Sequence, residues 1–269
     1  MTFAQNKVQL SLAEWSLHRA IQNGEMTNLD FPRIARTQYG IGAIEYVSTL
    51  FDGKTSVEDT VYLRRLKNEC KKYNVISNLI MVDDEGNLGD TDIADRFLAV
   101  TNHLKWVKAA KFLGCHSIRV NAAGDGTPEE VQKAMIDGLC KLCDYASEYN
   151  INVIVENHWG NSSNPAWLIP IIKAVNKRNC GVLPDFGNFD TVDRYQAVEQ
   201  MMPYAKGVSA KSYDFDEHGN ETKIDYKKML TIVQNSGYRS YLGVEYEGER
   251  LTEEQGIKAT IELINKCYK

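Results

Sequence analysis

The sequence predicts a single closed (β/α)₈ barrel. Eight short runs rich in β-branched residues alternate with longer segments of helical periodicity along the 269 residues. The repeat averages about 34 residues, which suits one strand, one crossover helix and two loops. No Pro/Gly/Ser-rich linker or charge block divides the chain, and eight such units use up its length. One domain spanning 1–269 is therefore expected. An open doubly wound sheet is less well supported, because no G-x-G-x-x-G follows the first strand and no G-x-x-x-x-G-K-[ST] occurs anywhere. Gly40-Ile-Gly42 is a fragment that reads as a turn into the second strand.

The expected strands are Val8–Leu12, Ala43–Val47, Val75–Met81, Ser117–Asn121, Asn152–Asn157, Gly181–Asp185, Gly207–Lys211 and Tyr241–Glu245. Ser56–Tyr73 carries Val57, Val61, Leu63, Leu66 and Cys70 near a 3.6-residue period. Asp92–Leu113 does the same with Phe97, Val100, Leu104, Val107 and Phe112. Thr127-Pro-Glu-Glu130 has the Thr, Pro and Glu of a capped helix start. Asn164-Pro is a similar start, and Asp225 suits the cap of a helix over Tyr226–Gln234. Gly114 and Gly237 each stand where a helix must stop before a strand.

Composition narrows the function classes. Lys and Arg number 31 against 36 Asp and Glu, a formal net charge of −5. A mildly acidic chain without a basic run is poorly suited to grip a phosphate backbone, so nucleic acid is not expected as a partner. No apolar stretch approaches the roughly 18 residues of a membrane span, so no membrane partner is expected. The first ten residues lack the charged start and apolar core of a signal peptide. A cytoplasmic location is expected on that ground, although a trimmed leader would leave the same start. Self-association into a homo-oligomer is compatible with the sequence. The six cysteines are too sparse for a disulfide framework and read as reduced. Cys140-x-x-Cys143 lies in an amphipathic helical segment with no second pair, which favours packing over metal or redox work.

In such a barrel the chemistry sits at the C-terminal ends of the strands. Five consecutive strands end there in polar groups, in Arg119 and Asn121, Glu156 to His158, Asp185 to Asn188, Ser209 and Lys211, and Glu245. Alternation places Glu156 with His158, Ser209 with Lys211 and Arg119 with Asn121 on shared faces. If those faces point inward, Glu156, Asp185 and Glu245 converge. Three carboxylates in one cavity need compensation, and a hard oxygen set suits Mg²⁺ or Mn²⁺; Lys211 and Arg119 offer part of the same neutralisation. Glu247 and Glu249, beyond the strand, are expected in solvent. His18, His103, His116 and His218 carry no ligand-like spacing. Trp15 and Trp159 follow the first and fifth strands and suit stacking on a sugar ring.

At these residues the chain resembles the xylose isomerase-like TIM-barrel superfamily, the group of sugar and sugar phosphate isomerases, ketose epimerases, inosose dehydratases and AP endonuclease family 2. The resemblance runs over nearly the whole chain. It is most specific at Val153-Ile-Val-Glu-Asn-His158, Leu183-Pro-Asp-Phe-Gly-Asn188, Gly207-Val-Ser-Ala-Lys-Ser-Tyr-Asp-Phe215 and Gly243-Val-Glu-Tyr-Glu-Gly248. It implies Glu156, Asp185 and Glu245 as metal ligands, with the two glutamates also moving a proton. The family's strand-seven His-x-Lys reads Ser209-Ala-Lys211 here, and its Asp-x-x-His reads Asp185-Phe-Gly-Asn188. Endonuclease chemistry resting on many histidines is thereby excluded. His158 completing the shell, or Lys211 acting as electrophile in place of a metal, both stay open.

The function this implies is a sugar or sugar phosphate isomerase or epimerase, working by proton abstraction α to a carbonyl on a small-molecule sugar. Glu156, Glu245 and Lys211 are the catalytic set; His158, Arg119, Asn188, Trp15 and Trp159 would hold substrate. The alternatives are a keto-sugar dehydratase, hydratase or 3-keto-glycoside lyase, and a barrel that binds a sugar without catalysis.

Overall fold

The computed structural model describes residues 8–51, 57–189 and 191–268. Eight parallel strands run β1 Leu10–Ala13, β2 Ala43–Val47, β3 Ile76–Met81, β4 Ser117–Val120, β5 Asn152–Glu156, β6 Cys180–Leu183, β7 Val208–Ser212 and β8 Leu242–Tyr246. The helices are α1 His18–Gln22, α2 Phe31–Tyr39, α3 Thr60–Tyr73, α4 Ile93–Leu113, α5 Pro128–Glu148, α6 Pro165–Val175, α7 Arg194–Met201, α8 Tyr226–Asn235 and α9 Glu253–Cys267. The strands from β1 to β6 pair in sequence order, β7 pairs with β8 and β8 with β1, so the order is β6-β5-β4-β3-β2-β1-β8-β7. The seam between β6 and β7 closes through single bridges, Val182 to Ala205 and Asp185 to Ser209. The result is the predicted (β/α)₈ barrel.

That seam explains why β6 stops at Leu183 rather than at Asp185. Pro184 has no N–H to give to a ladder. Its carbonyl accepts from Ser209 N at 3.0 Å, and Phe186 N then donates to Ser209 O at 3.1 Å. Asp185 is thus held by the closure of the barrel rather than by a regular strand.

Alternation along the strands separates two environments. Outward residues such as Ile44, Ile80, Ile118, Val153, Val155, Val182, Ala210 and Val244 pack under the helices. Inward residues Ala13, Val47, Leu79, Met81, Ile154 and Leu183 form a second apolar cluster inside the barrel. Glu45, Arg119, Glu156, Lys211 and Glu245 share the inward parity and are also buried. The inward face of the barrel therefore mixes apolar side chains with ionic ones, the latter drawn from β2, β4, β5, β7 and β8.

The helix signals hold in detail. Thr127 and Glu130 form a reciprocal capping box on α5, Asn164 accepts from Ala166 N on α6, and Asp225 accepts from Lys228 N on α8. Gly114 ends α4 with φ 91°. The expected helix from Ser56 begins instead at Thr60, where the Asp59 carboxylate accepts from Val61 N at 2.8 Å; Ser56 lies outside the described residues. Two residues assigned to apolar faces are exposed, Val61 at 61% and Phe97 at 63%. On α4 the buried face runs through Ala99, Val100, His103, Trp106, Val107 and Ala110, which turns Phe97 outward. All six cysteines are free thiols. No described helix is long and apolar enough to cross a membrane.

Candidate active site

The inward carboxylates meet at the C-terminal mouth. Glu156, Asp185 and Glu245, from the ends of β5, β6 and β8, each offer an oxygen within 4.8 Å of the others. All three are nearly withdrawn from solvent. Asp185 is positioned from two sides. The Asn157 side-chain amide mimics a ladder partner, accepting from Asp185 N at 2.8 Å and donating to Asp185 O at 3.1 Å. The carboxylate Oδ1 then accepts from Gly187 N at 2.7 Å and Asn188 N at 2.9 Å. Gly187 is required by space, since a Cβ there would lie 2.4 Å from the Tyr213 hydroxyl and 2.9 Å from Lys211 Cδ. Glu245 Oε2 accepts from the Ser209 hydroxyl at 2.5 Å.

Two cations answer these acids. Lys211 Nζ lies 3.1 Å from Glu247 Oε1, 3.5 Å from Asp185 Oδ2 and 3.8 Å from Glu245 Oε2. It also donates to Asn188 Oδ1 at 3.4 Å, while Asn188 Nδ2 donates to Glu156 Oε1 at 3.2 Å. Arg119 pairs with Asp83 at 2.6 Å and with Glu156 Oε2 at 2.8 Å. The second contact is an ion pair without hydrogen-bond alignment, for neither atom has a directed partner.

The electrostatics follow from burial opposed by these pairings. Burial pushes the Glu156 carboxyl up, against the attraction of Arg119 and Lys211. Asp185 is raised by burial too, with Lys211 pulling the other way. Burial would lower Lys211, but Asp185, Glu245 and Glu247 outweigh it and hold the ammonium well above the usual lysine range. The site thus keeps its two cations charged while burial resists ionisation of Glu156 and Asp185.

The expected site residues are brought together. Trp15, Arg119, His158, Trp159, Glu245 and Glu247 line one cavity of about 400 Å³ at the mouth. Glu156 and Lys211 touch this lining through Arg119, Glu245 and Glu247, and Asp185 and Asn188 join it through Lys211. Trp15 stacks on His18, ring centroids 4.5 Å apart, and Trp159 is half exposed. Glu247 is a correction: it faces Lys211 instead of solvent, because β8 runs one residue further than expected. Asp83 and His103 in the lining, and the buried carboxylates Glu14 and Glu45 outside it, were not anticipated. Glu45 carried a signal, a carboxylate in the middle of the apolar strand Ala43–Val47. It accepts from Ser11 and Asn78; Asn78 reaches it from the register shift between β2 and β3. Gly243 makes room for Glu45, since a Cβ there would lie 2.6 Å from Glu45 Oε2.

A profile of the family described as xylose isomerase-like TIM barrel matches residues 34–267. The chain belongs to this family. It is 38% identical to the C-glycoside deglycosidase alpha subunit of Arthrobacter globiformis over 68 residues, which span 25% of this chain and 19% of that protein. Among solved structures it resembles the 3-keto-D-glucoside 4-epimerase YcjR of E. coli, with a TM-score of 0.73 at 16% identity over 96% of this chain and 99% of that one. It also resembles a xylose isomerase-like TIM-barrel protein of Mycobacterium smegmatis in complex with magnesium. There the TM-score is 0.71 at 12% identity over 100% of both chains.

The buried triad could hold a metal ion. Glu156 Oε2 and Asp185 Oδ2 are buried and without hydrogen-bond partners, and an all-carboxylate set is hard-donor chemistry. On both counts the residues fit a divalent cation.

Proposed function

We propose that the protein is a carbohydrate isomerase or epimerase that moves a proton at the carbon α to a carbonyl. One observation carries this reading: two glutamates and an aspartate converge at the barrel mouth beside a buried, charged lysine. Glu156 and Glu245 are the acid–base pair. One removes the α-proton and the other returns a proton, to the opposite face of the same carbon or to its neighbour. The proton leaves carbon as its electron pair moves toward the carbonyl oxygen, and Lys211 lies where its ammonium can meet the negative charge. Asn188 couples the two sides by touching both Glu156 and Lys211. His158, Arg119 and Asn188 hold hydroxyls, and Trp15 and Trp159 give the sugar an apolar face. Glu156, Asp185 and Glu245 would hold a divalent ion, Mn²⁺ or Mg²⁺, which when bound supplies Lewis-acid stabilisation of an enediolate oxygen.

Solvent deuterium incorporation tests this. Ketoses and keto-glycosides incubated with the protein in D₂O should exchange one carbon-bound hydrogen, and Glu245→Gln should abolish exchange while sugar affinity stays within about tenfold. Exchange surviving that substitution would rule out the two-glutamate scheme.

The partial match to a C-glycoside deglycosidase alpha subunit favours a second reading. The same proton abstraction next to a carbonyl, followed by loss of a β-substituent, makes a keto-glycoside lyase. An unsaturated keto-sugar and free aglycone among the products would identify it.

A further inference from the structure

The charges around the cavity say what kind of sugar it can admit. Its lining contains five carboxylates, Asp83, Asp84, Glu85, Glu245 and Glu247, against one permanent cation, Arg119. That guanidinium is spent on Asp83 and Glu156, and the Lys211 ammonium below it is spent on Asp185, Glu245 and Glu247. Lys105, behind the wall, is paired with Glu85 at 2.8 Å. The two histidines of the lining are tied to the protein's own carbonyl oxygens, His103 Nδ1 to Ala99 O at 2.7 Å and His158 Nδ1 to Asn121 Oδ1 at 2.9 Å.

A phosphate could instead be cradled by backbone N–H groups at helix N-termini, which in this fold open toward the mouth. Here side chains take free N–H groups at the start of each described α-helix except α2, whose first residues Asp30, Phe31 and Pro32 are not part of the cavity lining. Asp59, Asp92, Asp193 and Asp225 accept the first free N–H groups of α3, α4, α7 and α8. Thr127, Asn164 and Thr252 do so on α5, α6 and α9. Arg19 N and Ala20 N of α1 are taken by the Glu253 carboxylate. Among the described residues neither an unpaired cation nor an open helix N-terminus lines the cavity.

We propose that this site takes an uncharged sugar or glycoside and rejects sugar phosphates, an inference that rests on the reading of the cavity as a sugar site. A phosphate dianion entering beside Asp83, Asp84 and Glu85 meets like charge at short range, and among the described residues no unpaired cation lines the cavity to offset it. A divalent ion held by Glu156, Asp185 and Glu245 would leave that outer wall acidic. The half-exposed Trp159 at the rim offers an apolar surface where a phosphate-handling site would place a cation.

The test is calorimetric titration of the full-length protein, with Mn²⁺ present, against D-fructose, D-psicose and methyl 3-keto-α-D-glucopyranoside and against the 6-phosphate of each. At least one uncharged sugar should bind, and its 6-phosphate should bind at least tenfold more weakly at low ionic strength, the gap narrowing as salt is added. In Asp84→Asn the gap should shrink by about threefold; Asn tolerates the left-handed backbone at this position, φ 62°. A 6-phosphate binding as tightly as its parent, no binding by any uncharged sugar, or an unchanged gap in Asp84→Asn would overturn the proposal. Deuterium exchange in the same samples separates it from the catalytic reading. Uncharged sugars that bind without exchange defeat the acid–base scheme alone, whereas exchange with preference for the phosphates defeats this inference alone.

Discussion

Ser209 donates a hydrogen bond to Glu245 Oε2 at 2.5 Å across the β7–β8 strand pair. A hydroxyl therefore touches the carboxylate where the family pattern has an imidazole. It also sits on the bridge that fixes Asp185, so one residue orients two of the three converging acids.

A cation held by the proposed triad would be sensitive to this position. Ser209→His adds a nitrogen donor beside three carboxylates and should raise Mn²⁺ affinity by at least tenfold, read by titration calorimetry. Ser209 is fully buried, so the larger side chain should cost about 1–3 kcal/mol of stability without metal. Melting temperatures in Mn²⁺ and in EDTA should then diverge more in the variant than in the wild type. Equal divergence would mean that position 209 adds no ligand, and no divergence in either protein would mean that the triad is not a metal site.

Arg119 offers a test of a different kind. It is 4% exposed, and its guanidinium is the counter-charge for both Asp83 and Glu156. Arg119→Met keeps much of the packing volume but strands two acids, one of them buried. Removing one partner of such a pair costs about 3–5 kcal/mol, so the urea midpoint should fall sharply. Lowering the pH should recover part of the loss, as the stranded carboxyls protonate.

Much of the site was legible because strands alternate. The inward parity of Glu156, Lys211 and Glu245 follows from their spacing in apolar runs, and the barrel then brings their ends together. Asp83 was not legible, because it lies past the end of β3 in a polar stretch with nothing periodic about it. Only its contacts with Arg119 and Asn121 across 36 and 38 residues give it a role. Phe97 was misplaced for a related reason. Periodicity finds a stripe on a helix, but tertiary packing chooses the phase, and on α4 the stripe through His103 and Trp106 won. The seam at Pro184 lay between the two cases: a proline in an apolar run signals an end to the ladder, and Asp185 stands just beyond it.

The tautomer of His158 is set by a chain of contacts. Asn121 Nδ2 donates to Asp83 Oδ1 at 2.7 Å, which turns Asn121 Oδ1 toward His158 Nδ1 at 2.9 Å. The imidazole must then carry its proton on Nδ1, leaving Nε2 as an acceptor. Nitrogen NMR should show that neutral tautomer at pH 7, with no titration down to about pH 5. Because this pKa is depressed by burial and by Arg119 and Lys211, the unfolded chain takes up the proton first. Stability should therefore fall as the pH drops below about 6.5. Asn121→Asp places a carboxylate against Nδ1 and should raise the His158 pKa, softening that fall.

Glu14 carries the opposite dependence. It is fully buried at the end of β1, where Oε1 accepts from Asn28 at 2.6 Å and Oε2 from Val47 N at 3.0 Å. No cation pairs with it in those contacts, and burial outweighs both hydrogen bonds, pushing its pKa up to about 8 from 4.5. Between those two values the folded state holds a proton that the unfolded chain has released. Stability from this residue is therefore complete at low pH and is lost as the pH rises toward 8, by about 1.4 kcal/mol per unit at most. Glu14→Gln removes the titration. Its amide oxygen can keep the Val47 contact if Asn28 rotates its amide, accepting from the new NH₂ and donating to the Tyr62 hydroxyl that now donates to it. Urea unfolding should show the variant equal to the wild type near pH 4.5 and more stable, by on the order of a few kcal/mol, near pH 8. A variant weaker than the wild type at pH 8 would mean that Glu14 is ionised in the fold and that its two hydrogen bonds, rather than its burial, decide the balance.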